Sequence, residues 1–371
     1  MGIHQDVIFN SANWGMPFHF WSVVFFVFGC IVGSFLNVVI HRMPLEQSIV
    51  NPPSHCPHCN YSIPWYLNIP LVTWVYLRGK CANCRAPISV RYFLVELLTG
   101  VVFVGCWLRF GHIVPKLAPV YCIFLAGLIA ATFIDFEHFI IPDQITIGGA
   151  VLGLVLSGFL PLMHGVDSKA ESVVESLKGI VVGAGLIYGI LRLGKFMFGR
   201  QKLDLAAGSK VIFTETAIIL PDMEIRYDEL FYRKSDAVQL EAATAELSDR
   251  CYRGVAIRLT PSKLRIDDEE LKPEDVPYLE VTTDSLLVPR EAMGLGDVKF
   301  MAAIGAFLGW QAVIFSLMVS SCLGSVVGII LIATKKLGPG SRLQYGPYIA
   351  AAAALWIFGG SIWWHWLWAA R

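Results

Sequence analysis

Ala118-Pro-Val-Tyr-Cys-Ile-Phe-Leu-Ala-Gly-Leu-Ile-Ala-Ala-Thr-Phe-Ile-Asp135-Phe-Glu-His-Phe-Ile-Ile-Pro-Asp143 decides the class of this chain. From Ala118 to Ile134 there is no charged residue, close to the roughly 20 apolar residues that a helix needs to cross a bilayer. The run then ends on a carboxylate. Comparable runs lie near 21–40, 92–109, 144–160, 179–198, 311–333 and 346–369, with a shorter one at 298–310. The expected fold is an α-helical polytopic membrane protein of about eight spans. Gly305 and Gly309 mark either a turn or a break in one bent helix.

Composition agrees. Hydrophobic residues make up 55% of the chain and charged ones 16%, against roughly 45–50% and about 25% in soluble domains. The net charge of zero gives no electrostatic case for nucleic acid. No Lys or Arg precedes Arg42, so the run from Trp21 lacks the positive flank of a cleaved signal and is expected to remain as an anchor.

Basic residues near span ends set the orientation. Residues 41–91 carry Arg42, Arg78, Lys80, Arg85 and Arg91, and 335–342 carry Lys335, Lys336 and Arg342. The 110–117 and 161–178 loops are poorer in bases. The positive-inside bias therefore assigns 41–91, 135–143, 199–296 and 335–345 to the cytoplasm, with the 1–20 segment and the C-terminus outside.

Cys56-Pro-His-Cys59 and Cys81-Ala-Asn-Cys84 form two C-x2-C pairs around a 21-residue spacer. Two such knuckles supply the four thiolates of a tetrahedral zinc site, and a full thiolate set makes that metal structural. A cytoplasmic loop disfavours disulfides. His55 and His58 are solvated loop residues or substitute ligands. The expected unit over 41–91 is a zinc-ribbon-like domain.

Acids at membrane spans are costly and mark candidate sites. Asp135 ends the third span. Asp297 opens the sixth, in Gly294-Leu-Gly-Asp297-Val-Lys299. The topology brings both to one membrane face, where two carboxylates could act as a general acid and a general base on a peptide bond. The other reading is of two helix-end acids, stabilised by the helix dipole and by water. Asp143, after Pro142, suits a helix N-cap. Glu137 and His138 either tune Asp135 or face solvent. Glu96, inside the second span, is expected to pair with Arg91 or a polar group in the bundle, or to contact substrate.

Residues 199–293 are polar, with apolar alternation, and read as an inserted β-rich domain. Gly208–Leu230 aligns without gaps on Gly254–Val276: Gly208/Gly254, Thr214/Thr260, Asp222/Asp268 and Glu224/Glu270 are identical. This predicts a duplicated strand-turn-strand unit.

Five motifs, in order, resemble the bacterial type IV prepilin peptidases, a branch of the GxGD membrane aspartic proteases. They are Gly33-Ser-Phe-Leu-Asn-Val-Val-Ile-His-Arg-Met-Pro44, the paired CxxC followed by Pro87–Leu98, Ile134–Asp143, Gly294–Lys299 and Tyr345-Gly-Pro-Tyr348. The resemblance covers nearly the whole chain except about 199–293. It implies that Asp135 and Asp297 are the catalytic pair and that Cys56, Cys59, Cys81 and Cys84 hold zinc. It implies cleavage of prepilin or pseudopilin leaders at the cytoplasmic face of the bacterial inner membrane. It further implies N-methylation of the new terminus with S-adenosylmethionine, and contacts with pilus or type II secretion assembly proteins. No glycine-rich nucleotide loop accompanies the methyltransferase expectation. The insert departs from the family pattern; it restricts substrate entry, docks an assembly partner or is simply tolerated. From other classes, a transporter using its acids for protons and a pilus-assembly scaffold remain readings of the same residues.

Overall fold

The computed structural model describes residues 17–221, 224–231, 236–247, 250–276, 278–289, 294–334 and 343–369. Most of the N-terminal segment at 1–20, the basic stretch 335–342 and Asp222 of the aligned repeat lie outside the described residues. In chain order the helices are α1 (Phe18–Arg42), α2 (Val72–Tyr76), α3 (Val90–Phe110), α4 (Leu117–His138), α5 (Asp143–Phe159), α6 (Lys169–Phe198), α7 (Tyr227–Leu230), α8 (Leu295–Ala333), α9 (Gly346–Leu355) and α10 (Ser361–Ala369). The chain divides into two compact units, one of residues 1–188 and 295–371, the other Gly189–Gly294.

Among the described residues six helical stretches are long and apolar enough to cross a membrane, and α5 is a shorter apolar helix. The protein is a polytopic membrane protein. Helix α1 starts at Phe18 and α3 at Val90, so both spans extend past the 21–40 and 92–109 read from hydropathy. Small residues let the helices approach closely, as lipid-embedded packing favours. A Cβ on Gly33 of α1 would lie 2.7 Å from the Cα of Glu96 on α3, and one on Gly179 of α6 would lie 2.0 Å from the carbonyl oxygen of Gly305 on α8.

The runs at 298–310 and 311–333, separate in the sequence reading, are joined in α8 and interrupted at Gly309, with φ 80° and ψ 173°. Before the interruption α8 follows α5: Lys299 meets Asp143, Gly149 faces Ala303, and Gly153 faces Ala306. Gly309 itself faces His164. After it, Phe315 lies against Gly360, and Ser320 and Ser321 reach the Tyr345 hydroxyl. The order of contacts thus reverses at Gly309, where the left-handed backbone suits glycine.

The second unit is an eight-stranded antiparallel sheet of β1 (Arg200–Phe213), β2 (Ala217–Ile219), β3 (Glu224–Arg226), β4 (Val238–Leu247), β5 (Cys251–Leu259), β6 (Leu264–Ile266), β7 (Glu269–Leu271) and β8 (Leu279–Pro289). The strand order is β3-β2-β1-β8-β4-β5-β6-β7. Reversing that order exchanges β1 with β5, β2 with β6, β3 with β7 and β4 with β8, so the two halves are related by a pseudo-twofold. They are also interlocked: the last strand of each half pairs with the first strand of the other. Gly208 and Gly254 both have positive φ, at 75° and 64°. Thr214 and Thr260 close the same turn, each hydroxyl donating to the carbonyl three residues on. The duplicated stretch therefore extends beyond 208–230 and 254–276 to the whole sheet. Alternate residues such as Val211, Leu240, Ile257 and Val281 are buried in one core, the period-two pattern of strands covered on one face.

Candidate active site and metal centre

Asp135 sits in the last turn of α4 and is buried, at 6% exposure. A carboxylate there requires compensation. The Gly346 N–H at the start of α9 donates to its Oδ2 at 3.1 Å. A Cβ on Gly346 would lie 2.7 Å from that oxygen and 3.1 Å from Ile141 Cδ1. Glycine is required here for close approach.

Asp297 lies in the first turn of α8. Its neighbour Gly296 faces Ile141, the distance from an added Cβ to Ile141 Cβ being 3.6 Å. Ile141 thus touches both the Gly346 that holds Asp135 and the Gly296 that precedes Asp297. The turn between α4 and α5 is fixed on both sides: Gln344 Nε2 donates to the Phe136 carbonyl at 3.0 Å, and Lys299 pairs with Asp143 at 2.6 Å. Both aspartates therefore belong to one rim of the helical unit, around residues 136–143.

Among the neighbouring acids Asp143 differs from the sequence reading, Glu137 is exposed, and Glu96 takes polar partners and not Arg91. Asp143 is the first residue of α5 with Pro142 at the cap, and its carboxylate pairs with Lys299 instead of capping. Glu137 pairs with Arg91, tying the end of α4 to the start of α3. Arg91 is thereby turned away from Glu96, whose Oε2 accepts the Leu71 N–H at 2.7 Å. Leu71 has φ 61°, a conformation costing on the order of 1–3 kcal/mol. A hydrogen bond, worth about 0.5–1.5 kcal/mol net, offsets part of it. Glu96 thereby ties the loop between the cysteine pairs to α3, and Asn37 of α1 is joined to α3 by donating to the Tyr92 carbonyl at 3.0 Å.

The four cysteine sulfurs of Cys56, Cys59, Cys81 and Cys84 lie within 4.8 Å of one another. Cys56 Sγ is 3.8 Å from Cys84 Sγ, and Cys59 Sγ is 4.0 Å from Cys81 Sγ. A zinc tetrahedron with Zn–S bonds of about 2.3 Å has edges of roughly 3.8 Å, so the donor set fits that ion. The two knuckles are built alike. Asn60 donates to the Cys56 carbonyl and Arg85 to the Cys81 carbonyl, each at positive φ. His55 and His58 are exposed and outside this set.

Backbone N–H groups of Cys84 and Asn83 bring the Cys81 thiol down to about 6. For Cys84 the Ala86 N–H pulls down, but desolvation and the three neighbouring sulfurs together outweigh it and push the thiol up to about 11. Four clustered thiolates repel one another unless a cation sits among them.

A buried carboxylate on the same rim as a second acid, together with a four-thiol cluster, marks a polytopic membrane protein with a candidate acid pair and a candidate metal centre. The model of the bacterial peptidase A24 N-terminal domain matches residues 27–110, and that of the type IV leader peptidase family matches 122–220 and 276–329. A protein of Dichelobacter nodosus named prepilin leader peptidase/N-methyltransferase is 35% identical over 207 residues, 48% of this chain and 69% of that one. The chain belongs to the type IV leader peptidase family. Proteins of the same name from Myxococcus xanthus and Aeromonas hydrophila are similar too. The first is 40% identical over 204 residues, 50% of this chain and 58% of its own; the second is 28% identical over 370 residues, 92% of each. No solved structure gives a significant match. The family match omits 221–275, which lies within the sheet unit.

The sequence reading named Tyr345–Tyr348 as a motif without a role. Its contribution is the Gly346 N–H, and the signal available was a Gly-Pro pair opening an apolar run.

Proposed function

We propose that this protein is a membrane aspartic endopeptidase that removes the leader of type IV prepilins or pseudopilins, with Asp135 and Asp297 as its acid–base pair. The observation that carries this reading is the buried Asp135 held by Gly346, linked through Ile141 to the Gly296-Asp297 turn. Two carboxylates in one site share a proton, because ionising both is unfavourable. The protonated one polarises the scissile carbonyl. The ionised one takes a proton from the attacking water, and the first then protonates the leaving amine. Gly294 and Gly296 leave room for an extended substrate strand at the mouth of the site. A transporter reading is disfavoured because these acids sit at helix ends and not near the midplane.

The chain is proposed to cross the bacterial inner membrane eight times. Helix α8 supplies two crossings on either side of Gly309, α5 supplies one, and the active rim faces the cytoplasm, where the basic residues of 41–91 lie. Cys56, Cys59, Cys81 and Cys84 would hold one zinc ion that stabilises the loop between α1 and α3 and has no open position for catalysis. N-methylation of the new terminus rests on the names of the relatives. S-adenosylmethionine would supply the methyl group.

Purified protein in nanodiscs, incubated with a synthetic prepilin, should release the leader and expose a new N-terminus readable by mass spectrometry. Adding S-adenosylmethionine should raise that product's mass by one methyl group. Equal cleavage by Asp135→Asn or Asp297→Asn would overturn the assignment.

A further inference from the structure

The inserted sheet contains a cavity of about 640 Å³ at the ends of β1 and β5, within the roughly 300–1,000 Å³ range of sites that enclose a small ligand or a few side chains. The two halves of the duplication both line it, but unequally. Tyr227 and Phe231 from the first half form an aromatic wall, their ring centroids 5.6 Å apart. At positions equivalent to Glu215 and Tyr227, the second half places Pro261 and Pro273. Buried Phe213 and Leu279 lie beneath.

Among the described residues, the charged ones lining this cavity are Glu215 and Glu274, both exposed and neither with an ion-pair partner. Three other acids of the sheet are ion-paired: Glu280 with Lys210, Glu269 with Arg250 and Glu270 with Lys263. The whole insert, residues 199–293, carries nineteen acids against thirteen bases, so its long-range field attracts cations. Unmatched carboxylates beside two ring faces and an apolar floor suit a basic side chain with a long apolar stem. The aromatic faces attract the cation while the floor covers the methylenes.

We infer that this cavity is a docking site for a short peptide segment in which Lys or Arg alternates with apolar residues. Its specificity comes from Glu215 and Glu274 and its contact area from Tyr227, Phe231 and the prolines opposite. The site lies wholly within the second unit and does not depend on the peptidase reading.

The test uses the full chain in nanodiscs and three fluorescein-labelled, blocked hexapeptides: alternating Leu-Arg, Leu-Gln and Leu-Glu. Fluorescence anisotropy should show saturable binding of the Leu-Arg peptide, at least tenfold tighter than the other two. Raising salt from 50 to 500 mM should weaken it, because exposed charges are screened. The double variant Glu215→Gln/Glu274→Gln should lose at least tenfold in affinity, and the single variant Glu274→Lys should lose more than Glu274→Gln. Equal binding of the Leu-Gln peptide would make the cavity a purely apolar site and overturn the inference. So would absence of saturable Leu-Arg binding, or undiminished binding by a variant whose sheet signal in circular dichroism matches wild type. If the double variant lacks that signal, the peptide ranking on wild type and the two single variants decides.

Discussion

The backbone N–H of Gly346 donates a 3.1 Å hydrogen bond to Oδ2 of Asp135, joining residues 211 apart in sequence. The contact fixes the carboxylate's position from the opposite side of the α4–α5 turn. Because an added Cβ would stand 2.7 Å from that oxygen, Gly346→Ala should push Asp135 aside while leaving the helices inserted. A displacement of about 1 Å at a reacting group costs up to roughly 100-fold in rate. The expected result is a 10- to 100-fold lower kcat for leader cleavage with little change in the amount of folded protein. Unchanged kcat would mean that the contact does not position the acid.

Asp143 and Lys299 join the start of α5 to the first turn of α8, two residues beyond Asp297. Both side chains are about half exposed, so the pair contributes at most about 1 kcal/mol to stability. Asp143→Lys and Lys299→Asp should each slow cleavage by misplacing the Asp297 turn, with thermal midpoints falling only slightly. The double swap should recover most of the lost activity. Activity lost equally in the double swap would indicate that one of these charges acts on substrate.

Metal analysis of the purified chain should return one zinc per protein, and Cys81→Ser should reduce this well below one. Metal binding requires deprotonated thiols. Occupancy should therefore fall as pH is lowered, and Cys84, whose thiol is pushed up to about 11, should be ionised at neutral pH only when the ion is present. Chelation should expose 54–88 to protease while leaving the membrane helices protected.

On the sheet, the hydrogen bond and charge of Lys210 hold the Glu280 carboxyl below its ordinary range, helped by the Tyr278 hydroxyl. A carboxyl lowered in the folded state stabilises fully above its unfolded pKa of about 4.3 and loses that contribution as pH falls through its folded value. Glu280→Gln should thus lower the unfolding midpoint of the sheet at pH 7. At pH 3 the difference from wild type should be smaller. A constant difference across that range would assign the effect to packing.

Arg200 pairs with Pro289 and Leu203 with Leu286, so the insert's entry and exit strands lie side by side. Excising about 203–288 therefore removes a unit whose ends are already neighbours. Zinc content and membrane insertion should survive the deletion; a protein that no longer inserts would show that the sheet is needed for folding of the whole.

Much of the fold was legible because each local device acts over a few residues. Uncharged runs specify membrane helices, two CxxC pairs specify a thiol cluster, and the spacing of Gly208, Thr214, Gly254 and Thr260 gave away a repeat. What misled the sequence reading were pairings between distant elements. Arg91 lies near Glu96 in sequence, yet it bonds Glu137 from another helix, and Glu96 takes the other expected kind of partner, a polar group. Pro142 before Asp143 suggests a helix cap, yet Lys299 claims its carboxylate.

By itself, the sequence determined the membrane class, the cysteine centre and which carboxylates stand at helix ends, since hydrophobic length and ligand spacing are local properties. Tertiary structure decided which partner each acid takes, that Gly346 secures Asp135, that α8 reverses its contacts at Gly309, and that the two repeat halves exchange their last strands. Those outcomes depend on which backbones come within hydrogen-bonding distance after packing. That is set by small residues at helix crossings and by strand register, and neither is a property of any one segment.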